Sequence, residues 1–183
     1  KSTLARLMFG LYEPTGGSVM VDGVDVRQIE PFDIKRGMSL VLQDSWLFSG
    51  SVRENILAGS ATFDDSDMLA ASEIAGVSDF LSDHPDGYEL RVSEGGGGLS
   101  GGQKQAISIA RGLVGSPSVI VMDEPTSMMD VASEGRLVQR LQSFIKDRTF
   151  VVITHRSAML QLVDRVIVFD KGRIVADGPK EIL

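Results

Sequence analysis

Leu99-Ser100-Gly101-Gly102-Gln103 and, further along, Val119-Ile120-Val121-Met122-Asp123-Glu124 decide how this chain folds. The first is a short polar loop with paired glycines, and it opens a segment of helical spacing with Ala106, Ile109, Ala110 and Leu113 on one face. Glycines there leave backbone N–H groups free to approach an anion, and a helix N-terminus behind them adds a favourable dipole. The second is an unbroken apolar run closing on paired acids, the pattern of a buried strand with carboxylates at its C-terminal edge. In open α/β sheets that edge is where ligands bind. An anion cradle followed by a metal-binding carboxylate and a second acid points to nucleotide phosphate chemistry.

Working outward, the chain opens Lys1-Ser2-Thr3 and runs with helical spacing through Leu4, Leu7, Met8 and Leu11. Lys-Ser entering a helix is the tail of a P-loop, where Lys reaches the β/γ-phosphates and Ser coordinates Mg²⁺. The glycine-rich half of that loop does not precede Lys1, so the expectation is of a longer chain cut inside the motif. Ser18–Gly23 and Val24–Val26 predict a small antiparallel sheet around an Asp-Gly turn. Met38–Leu42 predicts a short buried strand ending at Gln43, whose neutral amide can ligate Mg²⁺ or hold a water. Thr149–His155 predicts another buried strand, with the histidine at the same sheet edge as Lys1, Gln43 and Glu124.

Between these lie helical patterns. Leu47–Ile56 holds a serine cap and a short helix, and Asp64 to Leu81 a longer one with Met68, Leu69, Ile74 and Val77 as core candidates. Asp64, Asp65 and Asp67 suit a helix N-terminus rather than a metal site. His84 reads as a loop residue, Trp46 as a packed aromatic, and Gly95–Gly98 as a linker or hinge. Met128-Met129 reads as packing ahead of a helix from Val131 to Lys146. Val166 to Gly178 predicts two strands about an Asp-Lys-Gly turn, with a short helix from Pro179 to Leu183.

With 183 residues the chain fits one domain with a substantial core. A formal net charge of −7 argues against a general nucleic-acid partner or a membrane-surface domain. No window approaches the apolar length that crosses a bilayer. Cys 0 excludes disulfides and thiolate metal sites.

Taken together, the ordered motifs make the chain resemble the nucleotide-binding domain of ATP-binding cassette (ABC) transporters over almost its whole length. Lys1-Ser2-Thr3 is similar to the end of Walker A, Gln43 to the Q-loop, and Leu99, Ser100, Gly101, Gly102 and Gln103 to the signature. Val119–Asp123 with Glu124 is similar to Walker B, Ser127–Asp130 to the D-loop, and His155 to the switch histidine. The resemblance implies an α/β fold: a P-loop NTPase (RecA-like) core with a mainly parallel sheet, a small antiparallel β subdomain, and an inserted helical subdomain of about residues 45–115 carrying the signature. It further implies ATP and Mg²⁺ as ligands, with Lys1, Ser2 and Thr3 on the phosphates and Ser2, Gln43 and Asp123 toward the metal. Glu124 would activate a water, His155 would orient it, and Gln43 would sense it. Ser100, Gly102 and Gln103 would complete the ATP site of a second copy, head to tail, with Asp130 on that interface.

Phe48–Ile56 is similar to the exporter segment after the Q-loop, and Ser93-Glu94-Gly95 to the exporter X-loop, where Glu94 would meet a transmembrane domain fused upstream. His84–Tyr88 and Thr126–Asp130 resemble bacterial type I secretion ATPases, which export proteins or peptides and sit at the cytoplasmic face of the inner membrane. Met128 departs from a common alanine and Ser93 from a usual glycine in those patterns. The alternatives are an importer ATPase, a soluble ABC ATPase of DNA repair or translation, and a non-hydrolysing module. Only 56 positions separate Gln43 from Leu99 without sustained heptads, which disfavours a coiled-coil chromosome-type member. Glu124 and His155 together disfavour a non-hydrolysing one.

Overall fold

A computed structural model describes residues 1–44, 46–58, 60 and 62–182. Its first helix, α1 (Ser2–Met8), carries Lys1 as N-cap. The helical run expected to include Leu11 ends sooner, and Leu11 lies exposed beyond it. β1 (Met20–Val21) and β2 (Val24–Asp25) pair antiparallel about Asp22-Gly23, both at positive φ, the two-residue turn that Asp-Gly favours. α2 (Pro31–Gly37) then leads into β3 (Met38–Val41). β4 (Gly50–Ser51), α3 (Val52–Leu57), α4 (Asp65–Ala75), α5 (Val77–Leu81) and β5 (Arg91–Val92) follow before α6 (Gly101–Leu113). β6 (Val119–Asp123), α7 (Val131–Phe144), β7 (Thr149–Ile153), β8 (Arg165–Asp170) and β9 (Arg173–Pro179) come last.

The strand order β3-β6-β7 forms a parallel sheet, with Val41 opposite Met122 and Asp123 opposite Ile153. Ile120, Val121 and Met122 are fully buried, which explains their unbroken apolar run: a central parallel strand is covered on both faces. β7 is half-buried rather than buried as expected, because it pairs only with β6 among the described residues. β8 and β9 form the expected hairpin through Lys171-Gly172, and a 3₁₀ turn, Lys180–Ile182, stands where a helix was expected. Leu183, the expected end of that helix, and residue 45, the expected start of the helical subdomain, lie outside the described residues.

α3, α4 and α5 pack on α6, and their buried residues merge into one core with Ile107, Ile109, Ile120 and Leu141. Reciprocal capping boxes start three of these helices, Ser51 with Glu54, Asp64 with Asp67, and Ser100 with Gln103. The acids at Asp64–Asp67 are therefore caps, as their pattern predicted. Gly76, at φ +81°, breaks the predicted long helix into α4 and α5. Leu69, expected in the core, is exposed, whereas Met68 and Val77 are buried and Ile74 packs against the core from its edge. Asp79 on α5 ties this layer to α7 through Arg140 at 2.7 Å and Arg136 at 3.3 Å.

Two loop readings change. Gly95–Gly98 is no free linker: Gly95 N–H donates to the Leu47 carbonyl at 2.9 Å, and Lys104 Nζ donates to the Gly95 carbonyl at 2.9 Å. Gly95, Gly96 and Gly98 all take positive φ, so the glycines serve a fixed turn that a side chain would strain. Trp46 is 58% exposed, not packed, and lies against Gly95.

Leu141 on α7 is fully buried in the main core. Leu141→Ala should lower the unfolding free energy by roughly 2–5 kcal/mol in a urea titration.

Candidate functional site

Because β3, β6 and β7 run parallel in one register, their C-terminal ends share a rim. Gln43 lies just past β3, exposed; Asp123 ends β6 with Glu124 next; His155 lies just past β7. α1 packs against β6, which brings the helix headed by Lys1, Ser2 and Thr3 to the strand that carries Asp123. The parallel strands thus end on one rim with the candidate amide, acids and imidazole, and the Lys-Ser-Thr helix packs against β6.

His155 Nδ1 lies 2.8 Å from Glu124 Oε1. An ionised carboxylate only accepts, so the shared proton sits on Nδ1 and Nε2 is left for another partner. The Glu124 side chain is 15% exposed and that of His155 75%, so the acid is sheltered and the imidazole open to a ligand. Thr154 Oγ1 sits 3.4 Å from the other carboxylate oxygen, Oε2. Glu124 itself has φ +49°, a left-handed backbone that a side-chain-bearing residue adopts at a cost of order 1–3 kcal/mol. Its N–H donates to the Ile153 carbonyl at 2.8 Å and its carbonyl accepts from Gln105 Nε2 at 3.1 Å, so both neighbouring elements hold it there.

Asp123 is 2% exposed, and its Oδ1 has no hydrogen-bond partner. A buried carboxylate oxygen left without a donor is costly, and a cation or a cation-bound water satisfies it. Among the described residues no group of three or more His, Cys, Asp or Glu side chains is placed to hold a metal. A carboxylate oxygen is a hard donor of the kind that suits Mg²⁺.

The glycine-paired loop starts α6. Ser100 Oγ accepts from Gln103 N–H at 3.2 Å, and Gln103 Oε1 accepts from Ser100 N–H at 2.8 Å. Leu99 packs on the core while Ser100 and Gly101 stay exposed. The glycines face the turn after β6: a Cβ on Gly101 would meet Met128 Cβ at 3.2 Å, and one on Gly102 the Met128 carbonyl at 3.3 Å. Met128 is exposed and Met129 buried, so only the second is core packing. Asp130 caps α7, accepting from Ala132 and Ser133 N–H groups at 3.0 Å each. Glu94 stands apart from the rim, exposed in the Gly95 turn beside Leu47 and Trp46.

The ABC transporter family model matches residues 1–127. The chain belongs to the ABC transporter family. Membership makes it a nucleotide-binding domain, and the α/β architecture with its parallel sheet is the fold that the motifs implied. It is 38% identical over 178 residues, 97% of this chain and 30% of the relative, to the uncharacterized ABC transporter ATP-binding protein YknV of Bacillus subtilis (strain 168). It is 39% identical over 183 residues, 100% of this chain and 26% of the relative, to the leukotoxin export ATP-binding protein LtxB of Aggregatibacter actinomycetemcomitans. The structure of a bacterial Atm1-family ABC exporter with ATP bound superposes with a TM-score of 0.93 at 34% identity, over 100% of this chain and 32% of that one. The chain thus spans between a quarter and a third of the length of these relatives.

Several side chains of this ABC domain were not singled out from the sequence, although two carried a signal. Gln105 is 1% exposed on the apolar face of α6, and Glu134 is 6% exposed on the α7 stripe with Leu137, Val138 and Leu141. A polar group on a core stripe needs a partner, and that anomaly was legible. Arg156 and Thr126 carried no signal, since only the fold brings them to Glu134.

The Ser133 backbone and hydroxyl hold the Asp130 carboxyl below its ordinary 3.8. A carboxylate with a depressed folded-state pKa contributes stability above its unfolded value, and that contribution fades as pH falls through the folded value. Asn caps as well as Asp but does not titrate. The urea midpoint of wild type should therefore fall toward that of Asp130→Asn as the pH drops through the ordinary 3.8 and below.

Proposed function

We propose that this chain binds Mg-ATP at the strand rim and hydrolyses it to power export of a substrate across a membrane. The observation that carries this reading is the Glu124–His155 contact of 2.8 Å beside the unpartnered buried oxygen of Asp123. Phosphoryl transfer asks a protein mainly for positioning and charge stabilisation. In this reading Lys1 pairs with the β/γ-phosphates and Thr3 contacts the α-phosphate. Asp123, Ser2 and Gln43 hold Mg²⁺, which when bound neutralises charge on the phosphate oxygens.

Glu124 takes a proton from a water as the water oxygen bonds to the γ-phosphorus, and the bond to the β-phosphate oxygen breaks to release ADP and phosphate. His155 holds the Glu124 carboxylate through Nδ1–H, and as the imidazolium it also donates Nε2–H to the γ-phosphate. Gln43 relays the state of the site to a membrane partner.

As the family resemblance implies, the signature residues Leu99–Gln103 complete the site of a second copy in a head-to-tail pair, with Asp130 on the shared face. Two nucleotides are then sandwiched about a two-fold axis. Glu94, in the exposed turn ahead of the signature, meets a transmembrane domain, and residues 45–115 act as the helical unit that carries that contact. The likeness to LtxB, whose name is leukotoxin export ATP-binding protein, favours a protein or peptide cargo and a place at the cytoplasmic face of a bacterial inner membrane.

Glu124→Gln keeps the shape of the side chain and removes the base. ATPase turnover should fall by about 10²–10⁴, with nucleotide affinity little changed in a fluorescent-ATP titration. Retained turnover would overturn the assignment. Specific activity of the separated nucleotide-binding chain should also rise with its concentration, and a constant value would exclude the paired arrangement.

A further inference from the structure

The turn from Glu124 to Asp130 is held from both sides by side chains of other elements. From α6, Gln105 Nε2 donates to the Glu124 carbonyl and to Ser127 Oγ, each at 3.1 Å, while Gln105 Oε1 accepts from Met128 N–H at 2.9 Å. From the loop after β7, Arg156 donates to the Ser127 carbonyl at 3.2 Å, the Met129 carbonyl at 3.3 Å and Glu134 Oε2 at 3.3 Å. Glu134 in turn accepts from Thr126 Oγ1 at 2.5 Å. Thr154 Oγ1 accepts from the Arg156 backbone and approaches Glu124 Oε2, so the two clamps meet at the acid.

From this network we infer that Gln105 and Arg156 are positioning residues for hydrolysis, an inference that rests on the ATPase reading above. Neither touches the reacting atoms. Gln105 pins the carbonyl of a residue whose left-handed backbone is otherwise unfavourable. Arg156 locks the carbonyls of the turn that continues from it, and its neighbour His155 binds the same glutamate's carboxylate. Loosening either clamp lets the Glu124 carboxylate swing from His155 while the Lys1–Thr3 end is untouched.

A stability role alone is a weak account of Arg156 and Glu134. Glu134 is the buried member of the pair and Arg156 is half-buried; replacing such a pair by neutral groups is often harmless, whereas removing Arg156 alone strands the buried carboxylate. That contrast supplies the test, made on the full-length protein with melting temperature, kcat and KM measured for each variant. Arg156→Met should lower both melting temperature and kcat. Adding Glu134→Gln removes the stranded charge yet still accepts from Thr126, so Arg156→Met/Glu134→Gln should melt like wild type.

The double variant should nonetheless keep a kcat about 10- to 100-fold low with KM within about 3-fold, and Gln105→Met should show the same split. Recovery of kcat along with melting temperature in the double variant, or a normal kcat in Gln105→Met, would overturn the positioning role. Glu124→Gln and wild type assayed alongside separate the two claims: normal turnover in Glu124→Gln would remove the base that Gln105 and Arg156 are said to position, whereas no ATP turnover by wild type would overturn the ATPase reading itself.

Discussion

Parallel pairing of β3, β6 and β7 in a single register is the constraint on which the rest depends. Each of these strands is followed by a residue that chemistry can use, and only parallel alignment delivers Gln43, Glu124 and His155 to one side of the sheet. The central strand can sit there because Ile120, Val121 and Met122 are apolar on both faces and helices cover both. An antiparallel pairing of the same strands would send at least one of these residues to the opposite edge.

Burial then divides labour among the acids at that rim. Asp123 ends the strand within the core and keeps an oxygen without a donor. Glu124 leaves the strand in a left-handed turn, and this swings its carboxylate out to an imidazole that is open to solvent. Adjacent residues of one type thus differ in chemistry because the backbone turns between them.

The turn after Glu124 also explains how the chain keeps its distant motifs in step. Met128 lies against Gly101 and Gly102, Gln105 reaches back from the helix those glycines begin, and Arg156 reaches across from the end of β7. Two elements far apart in sequence, α6 and the loop after β7, therefore meet at one short turn. The signature helix touches the Glu124 carbonyl through one buried amide, that of Gln105.

Period and composition alone were enough for the strands around Val119 and Thr149, the capping acids at Asp64 and the start of the helix after Ser100, because these depend on neighbours within a few positions. Local pattern misjudged Leu69, Trp46 and the Gly95–Gly98 turn, since whether a side chain is covered depends on elements arriving from elsewhere. The sequence by itself determined which residues end strands and which begin helices. Only the tertiary structure decided that Gln105, Arg156 and Glu134 clamp the turn beside Glu124, because hydrogen bonds between residues 19 to 29 positions apart are set by packing and not by local order.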